Sequence, residues 1–364
     1  MAKLARVVIV GPLPPPAGGM ANQTRKLAEF LRSEQLEVDI VQVNADYRPS
    51  WVAKLPVIRA VFRLFNYWFT LNQKLKNADV VHIMANSGWS WHLFAAPALI
   101  VAKRLNKPAI LNYRGGYAEQ FFSESWHWVK LTMKKASVIV VPSPFLQQVF
   151  SKFEHHAEIV PNVLDQSLFY HNADISLNEQ APTIIVTRNL EAIYDVATTI
   201  KAFSQIKQEF PKAQLKIAGT GPELNSLTEL TEQLSLTDSV EFLGRLAPEN
   251  MAALYQNAQL MLNASIVDNT PNSIIEALAC GTPVISTDVG GIPKLVTDKH
   301  DALLVSPTDD KAMAKLAINV LSDKSLTLQL RDNGLVTISK FHWPQVWQKL
   351  KSCYVSALEQ KENV

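Results

Sequence analysis

Residues 263–296 read NASIVDNTPNSIIEALACGTPVISTDVGGIPKLV, and this stretch decides the fold. It opens at the end of one continuous apolar run, 260–263, and contains a second, 283–286. Between them lie a turn at 269–272 and a helix pattern from Ser273 to Cys280. Apolar runs that do not alternate belong to strands buried on both faces, which calls for a parallel sheet with helices on each side. The unit recurs outward. Runs 183–187, 214–218, 240–243 and 302–304 supply further strands, separated by helix patterns such as 197–209 and 222–234. Upstream, 6–11, 38–43, 80–84, 109–112 and 138–141 form an earlier series, with a helix over 22–33. Residues 165–182 lapse into polar character and read as a linker. Two doubly wound α/β domains are therefore expected, residues 1–168 and 169–343. A closing helix over 345–359 places Val346, Trp347, Leu350, Tyr354 and Leu358 on one face.

Chemistry concentrates in the same stretch. Asp268 and Glu276 stand eight apart. Asn272 or Ser273 reads as the cap of the helix that follows, with Glu276 in its first turn. Backbone N–H groups and the helix dipole at such a start favour an anion such as a diphosphate. Glu276 then has two readings. It accepts hydrogen bonds from ribose hydroxyls beside those phosphates, or it merely offsets the dipole.

The 364 residues are 48% hydrophobic and 19% charged, which excludes disorder and coiled coil as readings of the whole chain. Cys280 and Cys353 are too few for a disulfide framework and suit a reducing compartment. Residues 1–165 carry 19 Lys and Arg against 11 Asp and Glu, and the remainder 16 against 22. Net charges of +8 and −6 thus lie beneath the overall +2. Six of the eight tryptophans also fall in the first part (Trp51, Trp68, Trp89, Trp91, Trp126, Trp128). The first part is expected to face something anionic and partly apolar, unless the asymmetry is drift. Nucleic acid is not an expected partner, since no dense Lys/Arg run accompanies the charge. Residues 80–102 lack Asp, Glu, Lys and Arg, but His82, Asn86, Ser87, Gly88, His92 and Pro97 make them a strand, loop and helix, not a membrane span. The first apolar run is broken too early, by Gly11 and the prolines after it, for a signal peptide.

Together with motifs elsewhere, the opening stretch resembles the signature of retaining family 4 glycosyltransferases. It has an acidic residue (Asp268), seven residues, Glu276, then Ala-Leu-Ala-x-Gly-x-Pro-Val and Gly-Gly-x-Pro. Residues 10–19, VGPLPPPAGG, resemble that family's glycine loop, and Asp79-Val80-Val81-His82 the end of its third strand. Val160-Pro161-Asn162 resembles its segment before the linker; Ala218-Gly219-Thr220-Gly221-Pro222-Glu223 and Phe242-Leu243-Gly244 resemble its second-domain loops. Trp343 and Trp347 stand where the family's last helix begins. The resemblance implies the GT-B fold, two Rossmann-like domains facing a central cleft. It puts a nucleoside diphosphate sugar mainly in the second domain, and the last helix, 344–364, crosses back to the first.

It also implies roles. Asp268, Glu276 and Arg188 are the catalytic candidates. Donor contacts are implied for Gly18 and Gly19, for Gly219, Gly221, Gly244 and Arg245, and for the turn Asn269-Thr270-Pro271-Asn272-Ser273. On the acceptor side stand His82, Asn86 and Arg114. His82 also reads as a hydrogen-bonded core residue. Arg114 cannot serve as a base, and reads as a contact with a phosphate, on the donor or on a lipid-linked acceptor, or as a turn salt bridge. The chain departs from the family twice. The Lys expected five residues after Arg188 is Ile193, followed by Tyr194, with Arg245 a candidate substitute; and Asp268 replaces the usual Glu. No Asp-x-Asp pair appears, so neither a metal nor a cofactor beyond the donor is expected.

Residues 51–70, WVAKLPVIRAVFRLFNYWFT, mix aromatics with Lys54, Arg59 and Arg63. They read either as an interfacial helix on an anionic membrane or as a core-facing helix with its basic residues in solvent. The first reading implies a lipid-linked or polysaccharide acceptor, cell-surface glycan assembly, and a cytoplasmic protein at the inner face of the membrane. Two rivals share the fold: a sugar-nucleotide epimerase, and a non-catalytic sugar-nucleotide-binding scaffold suggested by Ile193.

Overall fold

The computed structural model describes residues 4–15, 19–45, 56–175 and 178–362; Gly18 and residues 51–55 of the expected interfacial helix lie outside them. The chain divides into two units, Met1–Val163 with Trp343–Val364, and Leu164–His342.

The first unit runs β1 (Arg6–Gly11), α1 (Gly19–Ser33), β2 (Glu37–Gln42), α2 (Pro56–Leu75), β3 (Val80–Ala85), α3 (Ala96–Arg104), β4 (Ala109–Tyr113), α4 (Ala118–Met133), β5 (Val138–Val141), α5 (Pro144–Lys152) and β6 (Glu158–Ile159). Its strands form one sheet in the order β2-β1-β3-β4-β5-β6, with every pairing parallel. β3 and β4 are buried at every position, which is why their runs do not alternate. Residues 80–102 form β3, a loop, one π turn over Trp91–Ala95, and the start of α3. α2, α3 and α4 share one apolar cluster, while α1 packs with β1 and β3 in another. Among its described side chains α2 buries a narrow stripe, Tyr67, Leu71 and Leu75, and leaves Phe65 68% and Phe69 66% exposed.

The second unit continues β7 (Thr183–Val186), α6 (Val196–Glu209), β8 (Gln214–Ala218), α7 (Leu224–Gln233), β9 (Val240–Gly244), α8 (Pro248–Gln256), β10 (Leu260–Asn263), α9 (Asn272–Ala279), β11 (Val284–Thr287), α10 (Ile292–Leu295), β12 (Leu303–Val305), α11 (Asp310–Ser322) and α12 (Lys324–Thr337). Its parallel sheet has the order β12-β11-β10-β7-β8-β9. Strand addition reverses between β7 and β10, and doubly wound sheets bind ligands beyond the carboxyl ends of the strands at such a reversal. The chain then returns to the first unit as α13 (Trp343–Glu362). Val346, Leu350, Tyr354 and Leu358 are buried there against β1 and β3, and Trp347 packs partly buried at the edge. Trp343 stacks on Phe30 of α1, ring centroids 5.0 Å apart, and its Nε1 donates to Glu34 at 2.8 Å.

Candidate active site

The reversal between β7 and β10 places Arg188 beside Asp268. Arg188 follows the end of β7, Asp268 follows β10, and the two form an ion pair with side chains only 11% and 12% exposed. The guanidinium also donates to Ser265 and Ser273, each at 3.2 Å, and lies 4.1 Å from the centre of the Tyr194 ring. Burial lowers the Arg188 pKa while neighbouring tyrosines oppose the shift; a guanidinium stays charged regardless. Its Nε, like the Thr270 hydroxyl, is buried without a hydrogen-bond partner among the described residues. Glycines let backbones close around this pair. A Cβ on Gly219 would fall 2.0 Å from the Arg188 carbonyl oxygen, and one on Gly290, at φ +55, 2.0 Å from that of Asp268.

α9 begins differently from the sequence reading. Its N-cap is Pro271, extended at φ −66 and ψ 113, and neither Asn272 nor Ser273 caps it. Both are already helical, which makes Glu276 the fifth helical residue, past the first turn. The helix therefore starts without a side-chain cap, and the Ser273 hydroxyl is turned to Arg188 instead. Asn269 is buried, with its N–H donating to Asp268 at 2.8 Å. Partly buried Glu276 accepts from the Tyr255 hydroxyl at 3.4 Å, and that hydroxyl shares a 2.8 Å bond with Thr187. Burial, and then the Glu276 charge, hold the Tyr255 phenol well above its ordinary pKa, so it remains a donor. Gly244 sits at φ +64 and accepts from the Gly219 N–H at 2.9 Å; Arg245 beyond it is exposed. Gly221 packs against the Leu190 backbone.

In the first unit, Gly19 is the first residue of α1, three residues before the expected helix start. His82 is fully buried, so it offers an acceptor no accessible atom and is a core residue. Its Nδ1 lies 2.9 Å from the Tyr354 hydroxyl and its Nε2 3.0 Å from the Asn112 amide nitrogen. Burial, with Arg114 adding to it, lowers its pKa to about 3. Asn86 is partly buried past β3 and accepts from the Ser87 N–H at 2.8 Å. Arg114 follows β4; it donates to Asn162 and, at 3.4 Å, to Asn112, so the turn salt bridge is replaced by contacts with neutral amides. Among the described residues, no group of His, Cys, Asp and Glu could hold a metal ion, and no helix is long and apolar enough to cross a membrane.

Residues 17–168 match the family described as Glycosyltransferase Family 4, and residues 171–336 match Glycosyl transferases group 1. The chain belongs to glycosyltransferase family 4. This family 4 chain is 26% identical over 213 residues to N-acetyl-alpha-D-glucosaminyl L-malate synthase of Bacillus anthracis, covering 57% of the chain and 55% of that protein. Across this and two other curated relatives the match spans 36–55% of their lengths. Sucrose-phosphate synthase from Thermosynechococcus elongatus superposes with a TM-score of 0.74 at 20% identity, covering 98% of this chain and 100% of that one. Anabaena HepE in complex with UDP and glucose gives 0.72 at 16% identity, covering 97% and 100%. At such identities these likenesses speak for the fold alone, which is GT-B.

Sequence reasoning missed several members of these clusters. Tyr194 was visible only as the residue beside a lost lysine, yet it stacks on Arg188. Tyr255, Ser265 and Asn112 carried no local signal. Asn162 stood inside a quoted motif without a role.

Proposed function

We propose that the protein is a retaining glycosyltransferase that moves a sugar from a nucleoside diphosphate sugar to a lipid-linked or polysaccharide acceptor in cell-surface glycan assembly. One observation carries this reading. At the strand reversal of the second unit, a buried Arg188 with an unpartnered Nε donates to Ser273 at an uncapped helix start, and the Thr270 hydroxyl just before that helix is also unpartnered among the described residues. Donors of this kind, held in place before the reaction, suit the charge that grows on a departing diphosphate. The bond from the anomeric carbon to the diphosphate breaks and the acceptor oxygen bonds that carbon on the same face. The acceptor proton leaves with a diphosphate oxygen. Glu276, oriented by Tyr255, takes the ribose hydroxyls, and Asp268 holds Arg188 and meets the sugar. The Tyr194 ring stacks on the Arg188 guanidinium and steadies it, without replacing the positive charge of the lysine missing at position 193.

The lipid-linked acceptor is supported by the face that α2 presents. Besides Phe65 and Phe69, Phe62 and Trp68 are 38% exposed; α4 exposes Trp128 and Leu131, and Trp89 is 78% exposed. Exposed apolar surface of this extent marks an interaction face, and the +8 charge of residues 1–165 favours an anionic bilayer. We place the protein at the cytoplasmic side of that membrane.

The test is slow donor hydrolysis followed by proton NMR. The reading expects free nucleoside diphosphate and a sugar released first with the donor's anomeric configuration. Inversion contradicts retention. Epimerised sugar without nucleotide release would favour an epimerase, and binding without turnover a scaffold.

A further inference from the structure

The first unit contains a polar chain that core packing does not require. Tyr354 on α13, His82 on β3, Asn112 on β4 and Arg114 just beyond β4 are linked in series, and Arg114 continues to Asn162. The proton positions follow from the end of the chain. Arginine only donates, so it fixes the Asn112 oxygen as acceptor and turns the amide nitrogen to His82. His82 Nε2 must then accept, and its Nδ1 carries the proton to the Tyr354 oxygen. His82, Asn112 and Asn162 are 0%, 4% and 6% exposed. Polar groups at such depth cost free energy unless every one is satisfied. Here the series satisfies them in one direction, toward Arg114.

Arg114 itself meets two amide oxygens, and among the described residues no carboxylate pairs with it. Buried cations are normally matched by an anion. Its location is that of a ligand site: its N–H donates at 2.9 Å to Ala85 at the end of β3, next to the β1–β3 reversal of this sheet. The following turn is tight on one side and open on the other. A Cβ on Gly115 would fall 2.3 Å from the Ser87 hydroxyl, whereas one on Gly116 meets nothing within 4 Å. On the proposed reading the donor diphosphate is taken by Arg188 and the start of α9 in the second unit.

We propose that Arg114, aligned by Asn112 and Asn162 and left without a carboxylate, receives a phosphate group carried by the acceptor. The planar fork suits such an oxyanion. His82 is a positioning residue, acting through Asn112. This inference rests on the glycosyl-transfer reading and adds the chemical class of its acceptor, whether the phosphate belongs to a lipid or to a soluble molecule.

The test is calorimetric binding of farnesyl phosphate in detergent micelles, glycerol 3-phosphate, farnesol as the uncharged control, and uridine, guanosine and adenosine diphosphates. Wild type is compared with Arg114→Gln and Asn112→Asp. The second variant places a carboxylate beside Arg114, and His82 accommodates it by moving its proton to Nε2. It should keep or raise Tm, so a loss of binding cannot be put down to misfolding. We expect at least one phosphate probe to bind wild type and to weaken about tenfold or more in both variants, with farnesol and nucleoside diphosphate binding unchanged. The arm that responds tells a lipid phosphate from a soluble one. If neither phosphate probe binds wild type, if both variants bind them normally, or if only nucleoside diphosphate binding weakens, the proposal is overturned while the glycosyl-transfer reading stands. If no nucleoside diphosphate binds wild type, that reading falls and this inference with it.

Discussion

Arg188 and Asp268, 80 residues apart in the chain, form an ion pair that is almost wholly buried. Two consecutive strand ends in space, β7 and β10, carry them together. Without Asp268 the guanidinium would be an uncompensated charge in a partly apolar wall. With it, Arg188 is held at a fixed angle over Ser273 and the start of α9. A phosphate bound here would meet a cation whose position is already set, which keeps the ordering cost of binding small.

Asp268→Asn should expose this arrangement. Breaking a buried pair by removing one partner costs about 3–5 kcal/mol, so urea unfolding should show a clear loss of stability. The released Arg188 charge should at the same time raise affinity for inorganic diphosphate while sugar transfer falls. A variant as stable as wild type, with unchanged diphosphate affinity, would show that the pair does neither job.

Glu276→Gln should leave the fold intact, since the side chain is partly exposed and its bond from Tyr255 is long at 3.4 Å. Nucleoside affinity should drop about tenfold or more, as a charge-assisted pair of ribose contacts becomes neutral. A folded variant that binds the nucleoside and turns over like wild type removes Glu276 from the ribose.

The sheets were legible because both are parallel and buried on both faces, so their strands leave continuous apolar runs; 6–11, 214–218 and 260–263 agree to the residue with β1, β8 and β10. β6 has two residues and leaves no pattern. The stretch around Asp268 and Glu276 was legible as a turn leading into a helix. Its cap was not, because Asn272 and Ser273 are ordinary cap residues and nothing local announces that Ser273 is needed by an arginine 85 residues away. The His82–Tyr354 bond spans 272 residues, and local sequence cannot carry such a pairing. The same limit hid the stacking of Tyr194, where the sequence registers a missing lysine and the structure an aromatic face.

The α2 face should bring the protein to anionic vesicles at low salt, and salt should weaken it, since each basic residue near the surface is worth about 1 kcal/mol and is screened within a Debye length. Phe65→Ser with Phe69→Ser should abolish co-sedimentation without lowering Tm, because both rings are already mostly in solvent. Wild type remaining in the supernatant at low salt would leave this face without a bilayer.

His82 should make the protein acid-sensitive. Its pKa is about 3 in the fold, lowered by burial, against 6.5 unfolded. Between those values the unfolded chain binds the extra proton, so stability is full above pH 6.5 and falls as the pH drops toward 3, by up to about 1.4 kcal/mol per unit. His82→Gln should lose less stability than wild type on going from pH 7 to pH 5, by about 2 kcal/mol in urea unfolding. Equal losses would mean that His82 does not govern this range.

Arg188 in the second unit should read a nucleoside diphosphate, and titration calorimetry with uridine, guanosine and adenosine diphosphates, each beside its free nucleoside, tests this most directly. One diphosphate should bind wild type well above its nucleoside, and Arg188→Ala should weaken the diphosphate by about 1.5–3 kcal/mol, the worth of a hydrogen bond to a charged group, while barely changing the nucleoside. No preference for diphosphate over nucleoside in wild type, or an equal loss of both in Arg188→Ala, would contradict it.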